Sequence, residues 1–296
     1  MASDRVDRLM TPTSPGPEGG EAVEERADAV QISAPAKLTL WLRVTGVRPD
    51  GYHELESEMV TLDLADTLMI GPGDGLSIEP QPVASDDDAP PTPASGLSAG
   101  PDNLVVRALA AVGRTARVRL IKRIPVGAGL GGGSADAAAI LRWAGCNDLR
   151  IAAELGADVP FCVTGGRARV LGIGESVTAL PFQDNEFTLL LPPFGVDTGA
   201  VYQAWDSLVG GGSSAMATAS GNDLEAPAIL VEPRLAVWRD VFAATTGVAP
   251  RLAGSGSTWF VEGGPETYGL QSGQSLRIGR VSGRVLGART VPATPL

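Results

Sequence analysis

The residues with the densest chemical potential lie between Lys122 and Trp143, centred on Gly127-Ala128-Gly129-Leu130-Gly131-Gly132-Gly133-Ser134. Five glycines in seven positions give a backbone with no Cβ atoms to hold a ligand away. Ser134-Ala135-Asp136-Ala137-Ala138-Ala139-Ile140-Leu141 follows, a helix-forming run that the pattern opens on Ser134 as N-cap. A glycine loop entering a helix aims free N–H groups at one point, at the positive end of the helix dipole, and that suits phosphate. The alternative is a flexible linker before a packed helix. Against it, Val118-Arg119-Leu120-Ile121 lies just upstream with the period of a strand, which is the context a phosphate loop requires. No lysine precedes Ser134, so this is not a P-loop, and a cation facing the phosphates must come from elsewhere in the chain or from a metal ion.

Other reactive side chains are scattered. Asp158, in Gly156-Ala157-Asp158-Val159-Pro160-Phe161, reads either as a helix start before proline or as a carboxylate able to take a proton from a hydroxyl. Lys37 and Thr39 share a strand face with Trp41 and Arg43, which the pattern alone assigns to a solvated surface. His53 is the only histidine of the chain and follows the turn Pro49-Asp50-Gly51. It reads as a surface or half-buried side chain, or, with Tyr52, as a stacking face and a hydrogen-bonding edge for a planar base.

These groups need a scaffold, and the chain is long enough for two domains around a shared cleft, with 296 residues of which 44% are hydrophobic. Strands are expected at 36–44, 58–64, 67–70, 117–121, 167–170, 186–191 and 258–261. Helices are expected at 103–112, with Asp102 as its cap, and at 134–144, 199–208 and 233–245. Asn222-Asp223-Leu224-Glu225 precedes the last of these, Gly254-Ser255-Gly256-Ser257 forms a tight turn, and the final ten residues carry no pattern. Residues 1–28 read as a disordered acidic tail, and 80–100 and 210–221 read as loops.

The formal charge of −11 argues against nucleic acid as a partner, and most of the excess sits in the tail and the 80–100 loop. Two cysteines make neither a disulfide framework nor a four-ligand metal cluster. The sequence offers no apolar run of membrane-spanning length, and the expectation is a reduced, cytoplasmic protein.

In combination, Pro35-Ala36-Lys37, Asp50-Gly51-Tyr52-His53-Glu54-Leu55, the loop Pro125–Ser134, Leu155-Gly156-Ala157-Asp158-Val159-Pro160-Phe161 and Ala253-Gly254-Ser255-Gly256-Ser257 resemble, in this order, the GHMP kinases. The glycine loop and the Gly-Ser-Gly turn are shared across that superfamily. The Asp-Gly-Tyr-His-Glu and Gly-Ala-Asp-Val-Pro-Phe segments resemble more narrowly its 4-diphosphocytidyl-2-C-methyl-D-erythritol kinase branch, over about residues 30–265.

That resemblance implies an α+β, two-domain GHMP kinase-like fold with the active site in the cleft between domains. An ATP-binding domain would span 29–180 and a second domain 181–290, before a tail at 291–296. It implies ATP and Mg²⁺, with the phosphates on Gly127, Gly129, Gly131, Gly132, Gly133 and Ser134, the metal ion near Ser134, and the adenine bordered by Pro125, Asn103 and Leu104. Asp158 would be the base, with Lys37 beside it. Tyr52, His53 and Tyr202 would frame the cytosine of a cytidine diphosphate-linked methylerythritol, assisted by Thr198 and Thr39. The alternatives are a GHMP kinase for mevalonate, homoserine or a sugar, and a nucleotide-binding homologue without transfer. Two departures from the family are visible: Thr39 stands where Asn is usual, and 144–157 is short, which raises the expectation of a helix missing or cut down and, with it, of a shifted Asp158 and weak or absent catalysis.

Overall fold

The protein is described by a computed structural model covering residues 29–80, 97–209 and 221–293. The expected acidic tail, most of the 80–100 loop, nearly all of the 210–221 loop and the last three residues lie outside the described residues.

Two sheets carry the fold. The first is built from β1 (Val30–Val47), β2 (His53–Gly71), β3 (Gly75–Pro80), β4 (Arg117–Lys122), β5 (Arg167–Gly172) and β6 (Ser176–Ala179). Its order is β3-β4-β2-β5-β6, with β1 antiparallel along β2 and β3 parallel to β4. The second sheet has the order β10-β11-β7-β9-β8, from β7 (Glu186–Leu191), β8 (Arg251–Leu252), β9 (Trp259–Glu262), β10 (Ser275–Ile278) and β11 (Val281–Arg289). Among the described residues the α-helices are α1 (Leu104–Ala111), α2 (Gly132–Trp143), α3 (Leu149–Leu155), α4 (Val159–Thr164), α5 (Thr198–Val209), α6 (Glu225–Val231) and α7 (Arg234–Thr246).

Small side chains let α2 approach the sheet closely. Ala135, Ala137, Ala138, Ala139, Ile140 and Leu141 are fully buried, against a core with Leu38, Leu62, Leu68 and Phe161. A second core gathers Trp205, Trp238, Phe242 and Trp259.

Several expectations change here. The runs at 58–64 and 67–70 are one strand, β2, and Asp66, which interrupts the apolar pattern, is buried within it. Of the final ten residues, 287–289 belong to a strand, the end of β11, which pairs with β7 from Arg284↔Leu191 to Arg289↔Glu186. Its glycines hide the strand signal and make room for neighbours, since a Cβ on Gly283 would stand 2.7 Å from Cζ3 of Trp238. The short segment 144–157 does contain a helix, the seven-residue α3. Helix α1 is capped by Asn103, whose side chain accepts from the Val105 N–H, while Asp102 accepts from Ser98. Helix α2 starts before Ser134: its N-cap is Gly131, at φ 68°, a left-handed conformation that favours glycine.

Candidate active site

The glycine loop is shaped by its carbonyls. The Gly127 carbonyl accepts from the N–H groups of Val196 and Ser257, the Ala128 carbonyl from Thr258, and the Leu130 carbonyl from Lys37 at 3.0 Å. Gly129 is required by close approach: a Cβ there would stand 2.3 Å from the carbonyl oxygen of Ala253. Gly131 lies over the Lys37 stem, where a Cβ would meet Cγ at 2.7 Å. At the start of α2 the N–H groups of Gly132, Gly133 and Ser134 have no acceptor within their own helix, because the first turn never does. The dipole adds positive potential at the same point. This end of α2 opens into a cleft of about 580 Å³.

Across the cleft stands Asp158. It precedes α4 at φ −86°, ψ −12°, and its side chain does not cap the helix. Instead Oδ2 lies 3.3 Å from Nζ of Lys37, which also donates to Oγ1 of Thr39 at 3.2 Å. Lys37 and Thr39 are therefore buried, 5% and 1% exposed, and the expected solvated strand face is wrong at these two positions. The strict alternation behind that reading is broken by register shifts between Pro35 and Lys37 and between Thr39 and Trp41. Arg142 of α2 ties the walls together, donating to the Cys162 carbonyl in α4 and the Ser33 carbonyl in β1. Behind Asp158, Gly174 packs so tightly that a Cβ would lie 2.1 Å from the Ala157 carbonyl oxygen. The short segment before Asp158 has not carried the carboxylate out of the cleft.

The cleft wall also includes Asn103, Leu104, Pro125, Thr198 and Tyr202. Leu104 borders Gly133, and Asn103 caps the helix beside it. Thr198 starts α5, and its hydroxyl is 2.8 Å from that of Ser255 in the Gly-Ser-Gly turn. Burial, and then the Asp158 carboxylate, push the Tyr202 hydroxyl well above the usual range for a phenol. His53 lies one ring beyond Tyr202, with centroids 4.7 Å apart. Of the three side chains expected around the base only Tyr202 lines this cleft: Tyr52 is 61% exposed on the adjoining turn, and His53 stands behind the Tyr202 ring.

Three buried charged groups beneath the loop escaped the sequence reading. The Lys122 ammonium is bound by Asp66 and, at 2.8 Å, by Asp136. Asp66 also accepts from the N–H of Ile124 at 2.8 Å, while Oδ1 of Asp136 is buried without a partner. Burial pushes the Asp136 carboxyl up to about 7, Lys122 opposing and the Asp66 carboxylate adding to the shift. Burial also works against the Lys122 ammonium, but the two carboxylates outweigh it and its pKa is raised. One signal was available: Asp136 is the lone charge in a run of alanines.

The donor set fits a nucleotide triphosphate and its metal ion. Free N–H groups, a helix start and a glycine cradle suit phosphate oxygens. The Ser134 side chain stands in the first turn, where its hydroxyl would supply one ligand to Mg²⁺, an ion that takes much of its shell from water and phosphate. Among the described residues no cluster of three acidic, histidine or cysteine side chains offers a self-sufficient metal cage.

The chain is similar to known proteins in sequence and in fold. A family profile for the GHMP kinases N terminal domain matches residues 103–166, the stretch from the α1 cap past Asp158. The 4-diphosphocytidyl-2-C-methyl-D-erythritol kinase of Paracoccus denitrificans is 40% identical over 247 residues, covering 77% of this chain and 85% of that protein. The protein of the same name from Rhodospirillum rubrum is 38% identical over 268 residues, covering 81% and 85%. Among solved structures, a 4-(cytidine 5'-diphospho)-2C-methyl-D-erythritol kinase superposes with a TM-score of 0.62 at 30% identity, over 88% of this chain and 98% of that one. A mevalonate kinase shares the fold alone, with a TM-score of 0.52 at 11% identity over 89% and 99% of the chains. Identity at this level extends far beyond the glycine loop that all such kinases carry, and with the cleft described above it makes the chain a member of the 4-diphosphocytidyl-2-C-methyl-D-erythritol kinase family of GHMP kinases.

Proposed function

We propose that this chain uses ATP to phosphorylate the 2-hydroxyl of 4-(cytidine 5'-diphospho)-2-C-methyl-D-erythritol, a step in non-mevalonate isoprenoid biosynthesis. The observation that carries the reading is the Asp158 carboxylate, 3.3 Å from the Lys37 ammonium, in the same cleft as the open first turn of α2. Phosphoryl transfer asks mainly for positioning and charge stabilisation. The backbone N–H groups at 132–134 hold the phosphate chain, with Ser134 toward the metal ion and Asn103, Leu104 and Pro125 toward the adenine. When bound, Mg²⁺ supplies charge neutralisation at the phosphates.

Asp158 takes the proton of the substrate hydroxyl. The freed oxygen bonds to the γ-phosphorus while the β–γ bridging bond breaks, and ADP leaves. Lys37, 3.3 Å from that carboxylate, stabilises charge that develops on the transferring group. The Thr39 hydroxyl, where the family usually has Asn, holds the Lys37 ammonium by accepting its hydrogen bond.

The two sheets, from residues 30–179 and 186–289, support the division into domains at 29–180 and 181–290. Free Cys146 and Cys162 fit the reducing conditions of a cytoplasmic enzyme, and among the described residues no helix is long and apolar enough to cross a membrane. Comparing ADP release with the cytidyl substrate, mevalonate and homoserine tests the reading. Release with the cytidyl compound alone is expected. A preference for either plain alcohol overturns the substrate assignment, and binding of ATP and the cytidyl compound without transfer overturns the activity.

A further inference from the structure

Helix α5 places Tyr202, Trp205 and Asp206 within one turn, and all three close on His53, the first residue of β2. The imidazole lies 4.7 Å from the Tyr202 ring at a tilt of 32°, and 5.3 Å from Trp205, edge to face. Its Nε2 is 2.8 Å from Oδ1 of Asp206. With two rings packed against it the imidazole has little rotational freedom, and its side chain is 10% exposed. Asp206 is 47% exposed at the rim and accepts at Oδ1.

A carboxylate at one ring nitrogen decides the tautomer of a neutral imidazole: the proton stays on the nitrogen facing the acid, and the other nitrogen presents a lone pair. Here the proton stays on Nε2 and Nδ1 becomes an acceptor. Among the described residues no hydrogen bond to Nδ1 is present. An acceptor edge beside the Tyr202 face matches the exocyclic amino group of cytosine, a donor, and mismatches the carbonyl that uracil carries at the same position. Resting on the cytidyl reading above, we propose that Asp206 is a positioning residue that locks His53 with Nδ1 as an acceptor and so selects cytosine over uracil.

The test exploits a property of the sequence. His53 is the only histidine, so ¹⁵N-histidine NMR reports its tautomer with no assignment problem. At pH 8 the wild type is expected to show Nε2 protonated and Nδ1 bare. Asp206→Ala is expected to give mixed tautomers and to raise KM for the cytidyl substrate about tenfold, with KM for ATP and kcat within about twofold. Asp206→Asn, whose amide oxygen still accepts from Nε2, is expected to recover most of the loss. Preference for the cytidyl over the uridyl analogue is expected to shrink in the alanine variant. A proton on Nδ1 in the wild type overturns the proposal, and so does an alanine variant whose cytidyl KM is unchanged or whose KM for ATP rises equally. A wild type inactive on the cytidyl compound overturns both this and the kinase reading, whereas an active wild type matched by its alanine variant overturns this one alone.

Discussion

Nζ of Lys37 lies 3.3 Å from Oδ2 of Asp158, joining the first long strand to the start of α4 across 121 positions of chain. The Lys37 backbone N–H meanwhile holds the Leu130 carbonyl of the glycine loop, and its stem lies under Gly131. One residue thus touches both the proposed base and the proposed phosphate seat. Lys37→Met keeps most of the stem and removes the charge, so the loop stays supported. We expect kcat to fall about 10²–10³-fold with ATP affinity changed by less than about threefold, measured by steady-state turnover and calorimetric titration.

The glycines of the loop do different work, and alanine separates them. At Gly129, φ is +78° and a Cβ would stand 2.3 Å from the Ala253 carbonyl oxygen. Gly129→Ala is expected to cost at least about 2 kcal/mol in a urea unfolding series, through left-handed strain and displacement of the Gly-Ser-Gly turn. A Cβ at Gly133 would make only ordinary contact with Leu104, at 3.5 Å. Gly133→Ala is expected to stay within about 0.5 kcal/mol in stability while weakening ATP binding, since the methyl group occupies the phosphate approach.

Asp136 ties stability to pH. Its folded-state pKa, about 7, lies above the usual carboxylate value of 3.8, so the folded protein holds a proton that the unfolded chain has released between those two values. The favourable contribution of that protonation is full below pH 4 and is lost as pH rises through 7. Relative to Asp136→Asn, the wild type is expected to lose on the order of 1 kcal/mol or more between pH 5 and 8, by urea unfolding at each pH. Parallel pH profiles for the two proteins contradict this. Lys122, shifted upward, stays charged throughout the window.

Asn222 clamps the far side of the cleft. Its side-chain amide donates to the Leu252 and Gly254 carbonyls at 2.9 and 2.8 Å, and its neighbour Asp223 accepts from the Val44 N–H in β1. Asn222→Ala leaves two buried carbonyls without their donor, at a cost of about 1–3 kcal/mol. A fall in Tm of roughly 4–8 °C is expected by calorimetry. An unchanged Tm contradicts the clamp.

The legible part of this protein was the part written in local chemistry. The glycine run announces its turn because no other residue type can supply that backbone, and Asp158-Val159-Pro160 announces a helix start. Lys37 was misread because strand alternation puts it opposite Leu38, whereas bulges on either side let both be buried and its charge is met by Asp158. The Asp66–Lys122–Asp136 group is hard to see, since its members are 56 and 14 positions apart and only Asp136, alone among alanines, stands out from an ordinary surface charge. The same holds for Asp206 and His53, separated by 153 positions. The cap lies at Gly131 rather than Ser134 for a local reason: three glycines let the helix begin three residues sooner, with Gly131 in the left-handed conformation.

The role of Asp158 as the base that faces the nucleotide seat is tested most directly by Asp158→Asn, in paired measurements of single-turnover phosphoryl transfer and of ATP affinity. The amide keeps the shape of the side chain and cannot take the proton. The account predicts a fall in transfer rate of about a thousandfold with ATP affinity within about threefold of wild type. Transfer at an undiminished rate, or a loss of affinity large enough to account for the whole effect, contradicts it.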